Sequence, residues 1–450
     1  MSDSKSFYKL LVKVAFPIMI QYFITSSVNM MDSFMIGKLG EEAVAALGIS
    51  NQYFFMFNLL IMGICSGCNV LIAQFWGKED TKSIRKVLGV SLALGISTSV
   101  IFLIGGTFFS ENIIHVFNKS NEVISLGKDY LTIVSISYVF TAISLSYGIG
   151  SRGVQQTVLP MVCSSVAFLL NVVFNYGLIF GNLGMPALGI KGAAVATLIA
   201  RVVEMILIII LIYGKNHVLK ASFKSLIDFD RKFFKRVMDV TIPVIINEIC
   251  WGLGIVIYAI IYGNMGTRSM AAVQICTSIQ NMFLIVLFAI ANGACAIVGT
   301  EVGRGDYDKS RYYSKKLLQT TLVLSVVIGI VLVISSKYVL RIYNVSNEVY
   351  MNAYYMIIIT SIVLPARFIG GILIIGILRG GGDTKYVLRV EFITMWFLGV
   401  PLCLIGAMLF KLKIYEVYML VALEEVVKCI VSFMRYKSGK WIRNLTVVEH

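Results

Sequence analysis

The chain has 450 residues, 58% of them apolar and only 14% charged, and its mean hydropathy is +0.84. That composition excludes a soluble globular protein, and the apolar runs are too long and continuous for barrel strands, which alternate over about ten residues. A formal net charge of +15 raises the question of a nucleic-acid partner, which the placement of the basic residues answers below.

A helix needs about 20 mostly apolar residues to cross a bilayer, and closed backbone hydrogen bonding restricts the alternatives. Hydropathy predicts an all-α polytopic membrane protein with twelve spans: 10–36, 44–72, 87–109, 129–150, 158–180, 188–213, 237–262, 270–298, 317–336, 351–378, 386–409 and 415–436. MSDSKSFYKL is short and polar, and the apolar segment after it is too long for a signal peptide, so the first span reads as an uncleaved helix. With a cytoplasmic N-terminus, 28 of the 39 basic residues fall in or beside the cytoplasmic segments and 9 on the opposite side, leaving Arg201 and Arg367 within spans. This positive-inside bias explains the charge through topology and anionic lipid, without nucleic acid. It predicts a multi-pass protein of the cytoplasmic membrane with both termini cytoplasmic. All eight cysteines fall in spans; Cys65 and Cys68 form a CxxC without a second pair and read as packing residues.

An internal repeat has a constant offset of 226 residues. It pairs Pro17 with Pro243, Gly37 with Gly263, Gly40 with Gly266, Ala45 and Ala46 with Ala271 and Ala272, Gly67 with Gly293, Gly77 with Gly303 and Asp80 with Asp306. NKSNEV, from Asn118 to Val123, returns as NVSNEV, from Asn344 to Val349. Six spans per half give both halves the same orientation, hence two lobes related by a pseudo-two-fold along the membrane normal, with substrate handled between them. The expected division is an N-lobe over 1–214, a basic cytoplasmic connection over 215–236 and a C-lobe over 237–450.

The pattern P-x14-D-x4-G-x2-G (Pro17, Asp32, Gly37, Gly40), QFWGKED after the second span, INEICWGLG in the seventh and LRGGGDT after the tenth together resemble the multidrug and toxic compound extrusion (MATE) family, from about residue 10 to 436. The resemblance implies a 6+6 fold, a central cavity, and export of amphipathic, often cationic organic compounds in exchange for H+ or Na+. No organic cofactor and no metal beyond Na+ is expected; the expected partners are a small organic substrate, the coupling cation and membrane lipid, and the expected state is a monomer. The sequence holds no phosphate loop for ATP and no HExxH or GxSxG motif, and His115, His217 and His450 lie in connections or at the terminus.

Asp32 shares a helix face with Asn29; the resemblance makes it a proton or cation site, against the alternative of an acid reaching water from a helix end. Pro17 removes a backbone hydrogen bond, so the first helix could bend there, and Pro243 is its counterpart. Asn171 and Asn175 lie one turn apart. The family pattern has an Asp at the second position, and an amide can coordinate Na+ but cannot carry a proton. Thr197 matches a family hydroxyl position, with packing as the alternative. Glu248 stands in an apolar run, where an ionised acid facing lipid costs roughly 2.5–3.5 kcal/mol. With Asn247 and Trp251 it would suit an organic cation on a cavity wall; alternatively it is tied to a neighbouring helix, with Arg367 as partner. The helix-10 acid of NorM-like members is replaced by Phe368. Gln21, Gln274, Gln280 and Asn281 are further cavity candidates, Arg201 and Glu204 are expected to neutralise each other, and QFWGKED and LRGGGDT read as turns and lobe contacts. Secondary antiport is the leading function, a flippase for lipid or lipid-linked saccharide the second, and a membrane-embedded enzyme or receptor the third.

Overall fold

The computed structural model describes residues 2–215, 217–341, 343 and 345–447; Asn344 of the second polar string and the terminal His450 lie outside them. In chain order the helices are α1 (Ser2–Gly37), α2 (Glu41–Gly77), α3 (Thr81–Phe108), α4 (Ser110–Phe117), α5 (Asn121–Val134), α6 (Ser137–Gly153), α7 (Val158–Phe180) and α8 (Ile190–Gly214). They continue with α9 (Phe223–Ile227), α10 (Arg231–Asn264), α11 (Thr267–Arg304), α12 (Tyr307–Leu340), α13 (Asn347–Gly371), α14 (Thr384–Thr394), α15 (Val400–Leu404) and α16 (Ile414–Lys437).

Among the described residues, ten helices are long and apolar enough to cross a membrane, with Asn347–Leu378 and Thr384–Leu409 each taken as one rod. The fourth expected span is instead a pair, α5 and α6, bent by 46° at Ser135 and Ile136. There Ser135 Oγ donates to the Thr132 carbonyl at 3.1 Å. α16 covers the twelfth span at 24 residues. Its length suffices, and it falls outside the apolar set because Glu424, Glu425 and Lys428 sit in its middle. π-helical turns at Ile372–Leu378, Met395–Gly399 and Ile405–Leu409 follow Pro365 or flank Pro401. A proline in a helix leaves a carbonyl unpaired, and a π turn re-registers the ladder around it. α2 and α11, at 37 and 38 residues, are about 55 Å long and exceed a hydrocarbon core of about 30 Å.

The chain forms two compact units: an N-lobe of Phe16–Ile72 and Glu79–Ile245, and a C-lobe of Met1–Ala15, Ala73–Lys78 and Ile246–His450. Of the three chain divisions within long helices, those at Ala15/Phe16 and Ile245/Ile246 fall beside the repeat-paired prolines Pro17 and Pro243, and the third, Ile72/Ala73, lies within α2. In the N-lobe, Phe57 and Tyr138 stack with ring centroids 4.7 Å apart in a core of apolar residues from α2, α5, α6 and α8. The C-lobe core has Phe368, Met356 and Leu364 of α13 against Cys276 and Leu287 of α11.

The repeat is physical as well as textual. Asp80 and Asp306 cap α3 and α12, each accepting a backbone N–H three residues on, from Ser83 and Lys309, at 3.0 Å. Within the C-lobe the repeat partners Gly77 and Gly303 mark one close crossing. A Cβ on Gly77 would stand 1.9 Å from the Thr300 carbonyl oxygen, and one on Gly303 1.9 Å from that of Gln74. Only two glycines let the backbones approach this far. The adjoining LRGGGDT turn closes over the same point: Gln74, fully buried, donates to the Gly380 and Arg443 carbonyls at 3.1 Å and accepts from Leu445 N at 2.7 Å. The C-terminal segment is thereby fastened to the turn, with Trp441 buried against Gly381.

Substituting Gly303→Ala should force the α2 and α11 ends apart and cost about 2 kcal/mol by overpacking. Gly48→Ala, where an added Cβ meets nothing within 4 Å, should change stability little. Thermal unfolding of the two variants in detergent compares them; equal midpoints would contradict the crossing.

Candidate functional site

Each lobe encloses its own polar cavity. In the N-lobe, α1 supplies Gln21, Asn29 and Asp32, α6 Arg152, α7 Asn171 and Asn175, and α8 Thr197, Arg201 and Glu204. The four-residue spacing of Asn171 and Asn175 puts both on one face of α7. Asn175 Nδ2 donates to Asp32 Oδ1 at 2.6 Å and to Asn171 Oδ1 at 3.1 Å, and Asn171 Nδ2 donates to Thr197 Oγ1 at 3.4 Å. The four expected N-lobe ion-site residues therefore form one chain of contacts. Asp32 is 9% exposed, and among the described residues no basic side chain pairs with it within 4 Å. Asn175 Oδ1 is buried without a partner, leaving a carbonyl oxygen beside the acid. Two cavities meet these residues. One of about 40 Å³ touches Asp32, Tyr130 and Thr197; the other, of about 190 Å³, is lined by Gln21, Arg152, Asn171 and Glu204, and the two share Val28, Asn29, Phe54, Thr197 and Arg201. Arg201 and Glu204 pair at 2.8 Å, and Ser164 Oγ also donates to Glu204, at 2.7 Å.

The C-lobe cavity, about 120 Å³, is lined by Asn247, Glu248, Trp251, Arg367, Arg379, Glu391, Glu425 and Lys428. Glu248 is bonded at 2.8 Å to Arg379, the arginine of LRGGGDT, so its partner is not the expected Arg367. Arg367 instead approaches Glu425 at 3.6 Å and donates to Gln280 Oε1 at 3.0 Å. Lys428 lies between Glu391 and Glu424, each at 2.9 Å, with Glu425 at 3.9 Å, and Tyr258 donates to Glu424. Of the other cavity candidates, Gln280 is buried in a C-lobe network with Thr360 and Tyr418. Gln274 and Asn281 are exposed and line none of the three cavities. Phe368 is fully buried core. Cys65 and Cys68 lie against hydroxyls, Sγ to Ser146 Oγ at 3.6 Å and to Thr241 Oγ1 at 3.8 Å.

Six charged cavity or network residues are missing from the sequence-derived candidates: Arg152, Arg379, Glu391, Glu424, Glu425 and Lys428. The three bases were counted as cytoplasmic positive charge, whereas Arg152, Arg379 and Lys428 are 7%, 4% and 6% exposed. The signal that picked out Glu248, an ionisable residue inside an apolar run, was also present at Glu391, Glu424 and Glu425. The cavity candidates named from the sequence include no base, whereas the N-lobe cavity holds two arginines to one glutamate and the C-lobe cavity three bases to three acids. His217, outside the spans, is held neutral by burial, its pKa lowered to about 4.

Helical lobes with ionisable groups turned inward define a multi-pass membrane transporter. The MatE family model matches residues 17–177 and again 243–405, two segments starting 226 residues apart like the repeat, and the chain belongs to this family of efflux transporters. It is 25% identical to the probable multidrug resistance protein NorM of Thermotoga maritima, over 96% of this chain and 93% of that one. It is also 25% identical to the uncharacterized transporter YisQ of Bacillus subtilis, over 96% and 95%. Its fold is that of a mutant of the Vibrio cholerae MATE transporter VcmN, with a TM-score of 0.90 at 17% identity over 99% of both chains. A MOP superfamily transporter from Pyrococcus furiosus, described as having a binding pocket of reverse polarity that suggests a different function, gives 0.86 at 18% identity over 96% of both. The protein is a transporter and not an enzyme.

Glu248→Gln should leave the buried Arg379 without its carboxylate and destabilise the C-lobe by about 3 kcal/mol. Combining it with Arg379→Gln should restore part of that loss. Chemical unfolding of the single and double variants reads the coupling; additive losses would mean that the pair contributes nothing.

Proposed function

We propose that the chain is a cation-coupled antiporter of the cytoplasmic membrane, both termini cytoplasmic, acting as a monomer. By alternating access it exports amphipathic organic compounds, cations among them, in exchange for inward-moving H+ or Na+, with Asp32 as the residue that carries the ion. The observation that carries this reading is the shared wall in the N-lobe: Asn29, Phe54, Thr197 and Arg201 line both the small space at Asp32 and the larger cavity beside it. An ion at Asp32 and an organic molecule in the larger cavity then act on the same side chains. That gives each occupant a differential affinity for the two states, which coupling requires. Asp32 has no basic partner within 4 Å among the described residues, so ion binding changes the local net charge, whereas Glu248 is already neutralised by Arg379 at 2.8 Å. Glu248, with Trp251 and Asn247, serves in this reading as C-lobe cavity wall, where the indole face attracts organic cations. Pro17 and Pro243, beside the chain divisions between the lobes, are the positions where bending takes place.

Transport of a lipid or lipid-linked saccharide is the second reading, favoured by the two arginines of the N-lobe cavity.

The test is efflux of rhodamine 6G from proteoliposomes under sodium and pH gradients imposed separately. One gradient should drive wild-type efflux, naming the ion. Asp32→Asn should cut that efflux by about tenfold or more, equivalent to about 1.4 kcal/mol of coupling, without changing elution from size exclusion. Wild-type efflux by Asp32→Asn would remove the assignment.

A further inference from the structure

Arg152 ends α6 and faces the larger N-lobe cavity. It is 7% exposed, and among the described residues no carboxylate lies within ion-pair distance of it. Its Nη2 donates to Gln21 Oε1 at 2.9 Å, its guanidinium lies 5.5 Å from the Tyr22 ring centre, and its Nε is buried without a hydrogen-bond partner. The other charges on this cavity cancel, since Arg201 is bonded to Glu204, and one positive charge remains. The repeat shows what is missing. Arg379 stands 227 residues after Arg152, in the matching stretches LRGGGDT and SRGVQQT, while the offset of 226 set by Pro17 and Pro243 pairs Tyr22 with Glu248; in the C-lobe Arg379 and Glu248 form an ion pair at 2.8 Å. The N-lobe has the same arginine, with the uncharged Tyr22 ring where the acid would be and the Gln21 amide as hydrogen-bond partner.

We propose that the N-lobe cavity binds an anionic group, a carboxylate, sulfonate or phosphate ester, carried by an amphipathic molecule, and that Arg152 is its receptor. A guanidinium presents a planar fork of donors matched to such groups, and burial makes an uncompensated charge seek a counter-charge. The rest of the molecule meets Ile24, Val28, Phe54, Leu145 and Phe168 on the same wall. The substrates therefore include anionic and zwitterionic amphiphiles as well as cations. This assignment rests on the export reading for its physiological meaning, but the binding site stands without it.

The experiment uses the full chain purified in detergent and two dyes with one ring system, fluorescein, which bears a carboxylate, and rhodamine 6G, its cationic ester counterpart. Dissociation constants are read from fluorescence anisotropy. Arg152→Gln should weaken fluorescein by about tenfold or more, the loss of one charge-assisted hydrogen bond, with Arg152→Lys intermediate and rhodamine 6G unchanged or tighter. Gln21→Glu keeps Arg152 and supplies the C-lobe type of partner; it should also weaken fluorescein, and it carries the test if Arg152→Gln does not fold. Displacement of fluorescein by short-chain phosphatidylglycerol marks a lipid headgroup as ligand, and displacement by benzoate or naphthalene sulfonate alone marks a free organic anion. Fluorescein binding within twofold of wild type in both Arg152→Gln and Gln21→Glu, equal weakening of both dyes, or displacement by neither class would overturn the proposal. If fluorescein fails to bind while rhodamine 6G is still exported, this inference falls alone. If Asp32→Asn retains wild-type efflux, the antiport reading falls while the dye-binding result stands.

Discussion

An ionisable side chain inside a membrane protein must find a counter-charge, a donor or a ligand within reach of its own fold, because lipid supplies none. The two lobes meet this constraint differently. The C-lobe balances its charges internally: Glu248 against Arg379, and Lys428 among Glu391, Glu424 and Glu425. Among the described residues that line the N-lobe cavities, one acid and one base stay without an opposite charge within 4 Å, Asp32 held by the Asn175 amide and Arg152 by the Gln21 amide. Amides orient these groups without neutralising them, which leaves the charges available to an ion or a substrate.

The repeat also fixes the scaffold that holds these groups. Asp80 and Asp306 start their helices by the same cap, and Gly77 and Gly303 remove the side chains that would separate α2 from α11. Against this regular frame the π turns around Pro365 and Pro401 are local to the C-lobe. They sit in the two rods that carry Arg367 and Glu391, the first of which ends next to Arg379, and a helix re-registered by one residue changes which side chains face inward.

Much of this was legible in the sequence. Apolar run length gave the helices, the fixed offset gave the two lobes, and the i, i+4 spacing of Asn171 and Asn175 placed both on the side that meets Asp32 and Thr197. The bend between α5 and α6 was not legible, because no Gly or Pro marks it; Ser135, which bonds the Thr132 carbonyl there, makes a bond that serines also make inside the unbroken α3 and α12. Arg152 and Arg379 were hidden by their positions at span ends, where a basic residue is read as positive-inside charge, and Lys428, in the middle of the twelfth span, was assigned to the cytoplasmic side with the tail although its place in an apolar run marked it. Only tertiary packing shows that α6, the LRGGGDT turn and α16 draw them into the lobes. The partner of Glu248 was missed for the same reason: Arg379 lies in what reads as a glycine-rich connection, and burial by Trp441 and Gln74 turns that connection into part of the interior.

The central claim is that an organic substrate and a small cation compete through Asp32. The most direct measurement is cation release on substrate binding to the purified protein, followed in weakly buffered solution for H+ and with radioactive sodium for Na+. Addition of saturating rhodamine 6G should release one of the two ions from the wild type and neither from Asp32→Asn. Release from Asp32→Asn equal to that of the wild type, or none from a wild type that binds the dye, would contradict it.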